Sequence, residues 1–278
     1  MNKNKTIILI LMLALSSSLL FAQFSGGSGT EASPYRISSE EDLRTFSQLI
    51  RLDSLDDFGE NVTWSYGKYF ILTNNIKKYD DFLLGYFRGN FNGRNYKTTV
   101  GQASSSFDFS SGLFLWVYDC KISNLIVDIA DFSDIGYQAS NIGVVNHAYD
   151  GAIIENCINI AVFTRFASLA GGIAKTVFGN NAQIKNCMNI GKIKHTGIYS
   201  GNFSYGGIVG GVEPNAFCII ENCVNYGSII EINDGVYSNV AIGGIAGRSG
   251  GGQIRNCVNI GFMFTNYGQI GGIVGEEN

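Results

Sequence analysis

The chain has 278 residues, with 36 glycines but 2 prolines, 45% hydrophobic residues, 15% charged residues and a formal net charge of −4. Many glycines with few prolines point to many tight turns and away from a disordered linker. The charges form no basic stripe of the kind that binds nucleic acid, and the apolar fraction can fill a sizeable core.

Met1-Asn2-Lys3-Asn4-Lys5 is short and basic, an apolar run follows from Ile7 to Leu15, and small and apolar residues continue to Phe21-Ala22-Gln23. That order reads as a secretory signal peptide over residues 1–22, cut after Ala22. As a membrane span the run is short, and Ser16, Ser17 and Ser18 interrupt it. Neither Ala22 nor Gln23 is a cysteine, so no lipid-anchored cysteine is expected there. Taking Lys3 and Lys5 from the 19 basic residues leaves 17 against 23 acidic, a mature net charge of −6. The expected location is the cell surface, the outer membrane or the extracellular space.

Residues 23–60 form an entry segment with one amphipathic helix, predicted over Ser38–Leu52. Ser38 and Glu41 have capping-box spacing. Leu43, Phe46, Leu49 and Ile50 share a face. This helix should plug the first coil of the solenoid that follows, because an open solenoid end exposes apolar core and unpaired strand edges.

Residues 61–278 are dominated by two interleaved repeats. Ile-x-Asn-Cys-x-Asn occurs at Ile154–Asn159, Ile184–Asn189, Ile220–Asn225 and Ile254–Asn259, with a degenerate copy at Ile122-Ser123-Asn124-Leu125. The steps between the cysteine slots are 32, 30, 36 and 34 residues. Gly-Gly-Ile-(Ala/Val) occurs at Gly171, Gly206, Gly243 and Gly271, with weaker copies at Ser111–Phe114 and Ile142–Val145. Each block is a short apolar run bounded by glycine or asparagine, which is a strand signal. Two or three such strands per period predict an all-β fold, a right-handed parallel β-helix whose coils stack at about 4.8 Å. A propeller has similar periods but would need four antiparallel strands per blade.

Stacking makes columns. Ile154, Ile184, Ile220 and Ile254 should form an aliphatic ladder, and Asn156, Asn186, Asn222 and Asn256 an amide ladder at a bend. Cys157, Cys187, Cys223 and Cys257 share a slot that Leu125 fills one coil earlier, so they should be buried free thiols. A disulfide needs Cβ atoms about 3.8 Å apart, closer than the rung spacing of about 4.8 Å. A zinc site needs ligands converging from several directions; no metal or cofactor is expected. Cys120 and Cys218 fall off this ladder. Insertions collect between the cysteine slot and the next glycine block, which places them along one edge of the rod.

The Gly-Gly-Ile-Val-Gly and Gly-Gly-Ile-Ala-Gly blocks resemble the GLUG motif of bacterial surface proteins, found in adhesin-like chains and beside the protease domain of IgA-specific metalloendopeptidases. Gly27–Thr30, Pro34–Ile37 and Glu41–Leu43 are similar to the entry segment of such proteins, and Lys68–Leu72 with Phe87–Gly93 to their first coil. The resemblance implies fold and export. It does not carry over the protease, whose zinc site needs His-Glu-x-x-His, because His147 and His195 are the only histidines.

No residue set reads as a catalytic centre. Asp128, Asp131 and Asp134, with the pairs Asp56-Asp57 and Asp80-Asp81, lack the basic partners of a polysaccharide lyase or hydrolase and read as solvated loop carboxylates. The aromatic residues of the variable arcs (Phe132 and Tyr137, Phe163 and Phe166, Tyr199, Phe203 and Tyr205, Tyr237, Phe262, Phe264 and Tyr267) lie among serine, glycine and asparagine. Such a mixture can stack on sugars or anchor a protein, or it can belong to a core stack. Tyr137, Tyr199, Phe203, Tyr205, Tyr237 and Tyr267 are the candidate ligand-binding residues. The expected function is a non-enzymatic, adhesin-like binding protein for a glycan or protein at a surface, with no nucleic-acid partner; the alternative is a carbohydrate-active enzyme. The last glycine block, Gly271–Gly275, has no partner strand after it, so the expectation is either a shortened member of a longer family or, at an open C-terminal end, self-association or partner docking.

Overall fold

The computed structural model describes residues 24–51, 64–79, 83–100, 112–129, 143–164, 168–197, 201–233 and 238–277. The leader over 1–22 lies outside them. Among the described residues every strand pairs in parallel with its equivalent in the next coil, as in a parallel β-helix. Sheet A has 8 strands, beginning at Tyr35–Ile37 and Tyr69–Leu72 and ending at Gln253–Arg255. Sheets B and C have 7 strands each, B from Ile76–Tyr79 to Val258–Asn259 and C from Leu83–Phe87 to Val274–Glu277. The early coils visit A, B and C in turn.

From Ile153 onward each coil takes a longer path, A, B, D, E and C. Sheet D consists of Val162–Thr164, Lys192–Gly197, Ile229–Asn233 and Met263–Thr265. Sheet E consists of Leu169–Gly171, Gly201–Gly206, Ser238–Gly243 and Gln269–Gly271. The insertions do lie on one side of the rod, as their spacing predicts. Much of their length, however, is two additional parallel sheets forming an arm.

The repeats become columns. Phe70, Phe91, Ile122, Ile154, Ile184, Ile220 and Ile254 are in register in sheet A, all buried except Ile254 in the last coil. Leu125, Cys157, Cys187 and Cys223 are buried beneath them and Cys257 is half-buried. The four thiols are unbonded and face carbonyl groups of the preceding coil, Cys187 Sγ at 3.6 Å from Ile154 O and Cys223 Sγ at 3.6 Å from Ile184 O. The neighbouring Cys187 thiol, with burial, pushes Cys223 up to about 12, so these sulfurs behave as apolar filling. Cys120 and Cys218 belong to a second column, one residue before the sheet A strands, with Ala152, Ala182 and Gly252. That column is tight: a Cβ at Gly252 would lie 2.6 Å from Cys218 Sγ.

Asn156, Asn186, Asn222 and Asn256 take left-handed φ values of 53, 52, 54 and 51°, a conformation asparagine tolerates better than most residues. Asn222 donates to Asn186 at 3.2 Å. A stronger amide ladder is formed by the last asparagine of the motif: Asn159 donates to Asn189, Asn189 to Asn225 and Asn225 to Asn259, at 2.7, 2.8 and 2.8 Å. Across the coil these amides press on the glycine block. A Cβ at Gly172, Gly207 or Gly244 would lie 2.5, 2.3 or 2.4 Å from the Cγ of Asn189, Asn225 or Asn259. The two motifs are thus two sides of one contact.

The helix spans Glu40–Ile50, shorter than Ser38–Leu52, and its cap lies one residue later than expected. Ser39 accepts from the Asp42 N–H at 3.1 Å, while the Asp42 carboxylate accepts from Ser38 N–H and Ser25 Oγ. The Phe46 ring lies 4.7 to 6.3 Å from the rings of Phe70, Phe87, Phe91 and Phe114, so the helix plugs the first coils. At the other end Val258, Ile260, Phe262, Phe264, Ile270 and Ile273 are exposed.

Candidate functional site

Tyr137, Tyr199 and Tyr237 lie outside the described residues, and Tyr267 is exposed in the last coil. Phe203 and Tyr205 require a correction: they are 7% and 0% exposed and cannot meet a ligand there. They sit in the strand Gly201–Gly206, where alternate residues share a face, and both point into the arm. The Tyr205 hydroxyl lies 2.5 Å from His195 Nδ1. His195 is in register with Glu231, whose carboxylate accepts from Thr265 Oγ1 at 2.6 Å. Burial lowers His195 to about 4 and raises Glu231 and Tyr205. This polar cluster belongs to the arm's interior.

One set of partly exposed aromatic residues gathers instead at the corner where sheet C turns into sheet A. Trp116 is in register with Tyr86 and His147 on the outer face of sheet C. Tyr118, Tyr149 and Phe178 directly follow the in-register, inward-facing Val117, Ala148 and Val177. Tyr86 stacks on Trp116 at 5.1 Å, Tyr118 on Tyr149 at 4.2 Å and 7°, and Tyr149 on Phe178 at 4.8 Å and 9°. The rungs therefore set the ring spacing, and the three rings remain partly exposed.

Beside this column runs an open groove of about 440 Å³ lined by Arg88, Asp119, Asp150, Gly151, Asn180 and Asn181. Along these coils the corner lengthens from two residues at Arg88-Gly89 to six at Glu213–Cys218, and it shortens to three at Gly250–Gly252. Arg88 Nη2 reaches Asp119 Oδ2 at 3.3 Å, and its guanidinium lies 4.9 Å from the Tyr66 ring. The Asp150 carboxylate accepts from the Asn180 N–H. Burial raises the Tyr118 and Tyr149 hydroxyls, and burial with nearby Lys175 lowers His147 to about 4. The column is therefore uncharged at neutral pH, while the groove carries both signs and several amides. Among the described residues no three His, Cys, Asp or Glu side chains gather as a metal-ligand set.

This corner escapes a search of the variable arcs, because its aromatic residues are in and beside the strands. A signal was nevertheless present. Tyr118, Tyr149 and Phe178 each stand six residues after the second position of a glycine block, at Gly112, Gly143 and Gly172.

No family model and no curated protein matches the sequence. The fold is similar to a crystal structure from Bacteroides ovatus titled a "putative immunoglobulin A1 protease", at a TM-score of 0.55 and 18% identity, over 92% of this chain and 87% of that one. At that identity the similarity is one of fold.

Proposed function

We propose that this chain is an exported, non-catalytic binding protein of the GLUG-like, adhesin-like kind, and that its corner takes a glycan. The observation that carries the reading is the uncharged column of Tyr118, Tyr149 and Phe178 beside the groove of Arg88, Asp119, Asp150 and Asn180. Sugars offer apolar C–H groups and many hydroxyls. Aromatic side chains with a polar handle suit the first, and a few fixed carboxylate, amide and guanidinium groups suit the second. The aromatic residues sit at strand ends, which hold a site more rigidly than loops do. Aromatic groups stand at three successive rungs, Tyr118, Tyr149 and Phe178, about 4.8 Å apart, so a linear glycan along the rod would meet a short run of similar groups.

The name of the Bacteroides ovatus neighbour does not bring a protease to this chain, which has no His-Glu-x-x-His. A carbohydrate-active enzyme is the second reading, favoured by Asp119 and Asp150 lining one groove. A glycan array and a polysaccharide-degradation panel separate the two. The expected result is retention of one glycan class without product release, weakened at least tenfold by Tyr149→Ala with Asp150→Ala. Released oligosaccharide would overturn the non-catalytic reading. Binding indifferent to both substitutions would remove the corner.

A further inference from the structure

The charges of the corner do not balance. Its acids are Asp119 and Asp150, which line the groove, and Glu213 at the next rung after Phe178. Glu213 follows Val212 as Phe178 follows Val177, and the two valines are in register. The guanidinium in the lining is that of Arg88, and Asp119 takes it at 3.3 Å. Among the described residues neither Asp150 nor Glu213 has a basic partner at ion-pair distance. Lys175, whose charge reaches His147, lies in the strand Ala174–Val177 and is not part of the lining. Burial raises the Tyr118 and Tyr149 hydroxyls, and the nearby charges of Asp150 and Glu213 add to it.

The Asp150 carboxylate is also held in place. Its Oδ1 accepts from the Asn180 N–H. A Cβ at Gly179, where φ is +72°, would lie 2.1 Å from the same oxygen, so the carboxylate packs on bare backbone. The rung before repeats the arrangement more loosely, with Asp119 Oδ1 3.2 Å from where a Gly151 Cβ would be. The Asp119 N–H donates to Asp150 O at 2.8 Å, and each aspartate directly follows a ring of the stack, Tyr118 or Tyr149. Both aspartates are exposed and Glu213 is half-buried. An ionised carboxylate only accepts hydrogen bonds. A ligand for this groove must therefore bring donors, whereas a carboxylate or sulfate on the ligand would set like charge against like.

Resting on the glycan reading above, we propose that the sugar chain taken at the corner carries free amino groups, with an ammonium on Asp150 and C–H groups against Tyr118, Tyr149 and Phe178. An ammonium supplies three donors and the charge that Asp150 and Glu213 lack. An N-acetyl group supplies one donor and no charge, and the carboxylate of a uronic acid supplies neither. These charge pairs are open to water, so the gain is moderate and salt screens it.

Calorimetric titration of the purified protein in mildly acidic, low-salt buffer tests this with a glucosamine oligomer, its fully N-acetylated counterpart and an oligogalacturonate of the same length. The glucosamine oligomer should bind tighter than the acetylated one by roughly fivefold, and the oligogalacturonate should not bind. Added salt should narrow the gap. Asp150→Asn with Glu213→Gln should bring the ratio of the first two affinities close to one at unchanged far-UV circular dichroism. Equal or tighter binding of the acetylated oligomer, a preference that survives the double variant, or no binding of the glucosamine oligomer would overturn the proposal. So would oligogalacturonate binding that appears with added calcium, since the carboxylates would then hold a metal ion. Tyr149→Ala separates this proposal from the reading beneath it. Acetylated-oligomer binding that depends on Tyr149, at a ratio near one, would sink the amino-sugar assignment and leave the corner as a glycan site. Binding of both oligomers that ignores Tyr149→Ala would remove the corner itself.

Discussion

The arm and the corner each contain aromatic pairs spaced two residues apart, and the rod uses them in opposite ways. Phe203 and Tyr205 occupy the inward phase of a sheet E strand, and an interior histidine takes up the tyrosine hydroxyl. Trp116 and Tyr118, three coils earlier, flank the inward Val117 and lie on the outer side. In a period-2 element a shift of one residue exchanges core for surface, so composition alone cannot distinguish the two. What separates them is the position of the neighbouring small apolar residue, Val117 or Ala148, relative to the glycine block.

The largest effect should come where the two repeats meet. Gly207→Ala places a methyl 2.2 Å from Gly244 O and against the Asn225 amide. It should cost more than about 4 kcal/mol or abolish folding, whereas Gly67→Ala, with nothing nearby but a φ of +67°, should cost only about 1 kcal/mol. Chemical denaturation checks both. Next come the aromatic residues themselves. Tyr205→Ala leaves a cavity in the arm and should destabilise by about 3–5 kcal/mol. Tyr149→Ala should cost roughly 1 kcal/mol of stacking, because its outer side is already wet. Equal losses would mean that the corner is as much a core as the arm.

A smaller effect follows from acid. His195 and His147 titrate near 4 in the folded chain against an ordinary 6.5. The unfolded chain binds their protons first, so their contribution is fully present above pH 6.5 and is lost as pH falls from 6.5 towards 4. Glu231, raised by burial, works in the opposite sense because the folded chain binds its proton more readily. His195→Gln should therefore flatten the fall in melting temperature between pH 6.5 and 4. An unchanged slope would show that the arm's histidine does not contribute to it.

The coil period, the parallel stacking and the cysteine and isoleucine columns were legible in the sequence, because each is a repeated residue type at a nearly constant step. The arm was not. Its sheets pair stretches as different as Phe163-Thr164, Ile193-Lys194 and Ile229-Ile230, which share backbone register but no repeated signature. The inner amide ladder was half legible: two asparagines recur in each motif, and only the course of the chain shows that the second is the buried one. Cys120 and Cys218 looked unrelated because corners of three and six residues separate sheets C and A in their coils, which hides their common column.

The claim that the corner is the binding site is open to a direct optical test. The sequence has 2 tryptophans; Trp116 stacks on Tyr86 within the corner, and Trp64 packs with Phe24, Tyr35 and Phe70 near the N-terminal end. In a Trp64→Phe variant the remaining indole reports on the corner alone. Titration with a glycan that the array identifies should shift Trp116 emission in a saturable way, and Tyr149→Ala should weaken that saturation at least tenfold. Saturable binding by calorimetry with no change in Trp116 emission would place the ligand elsewhere on the rod and contradict the account.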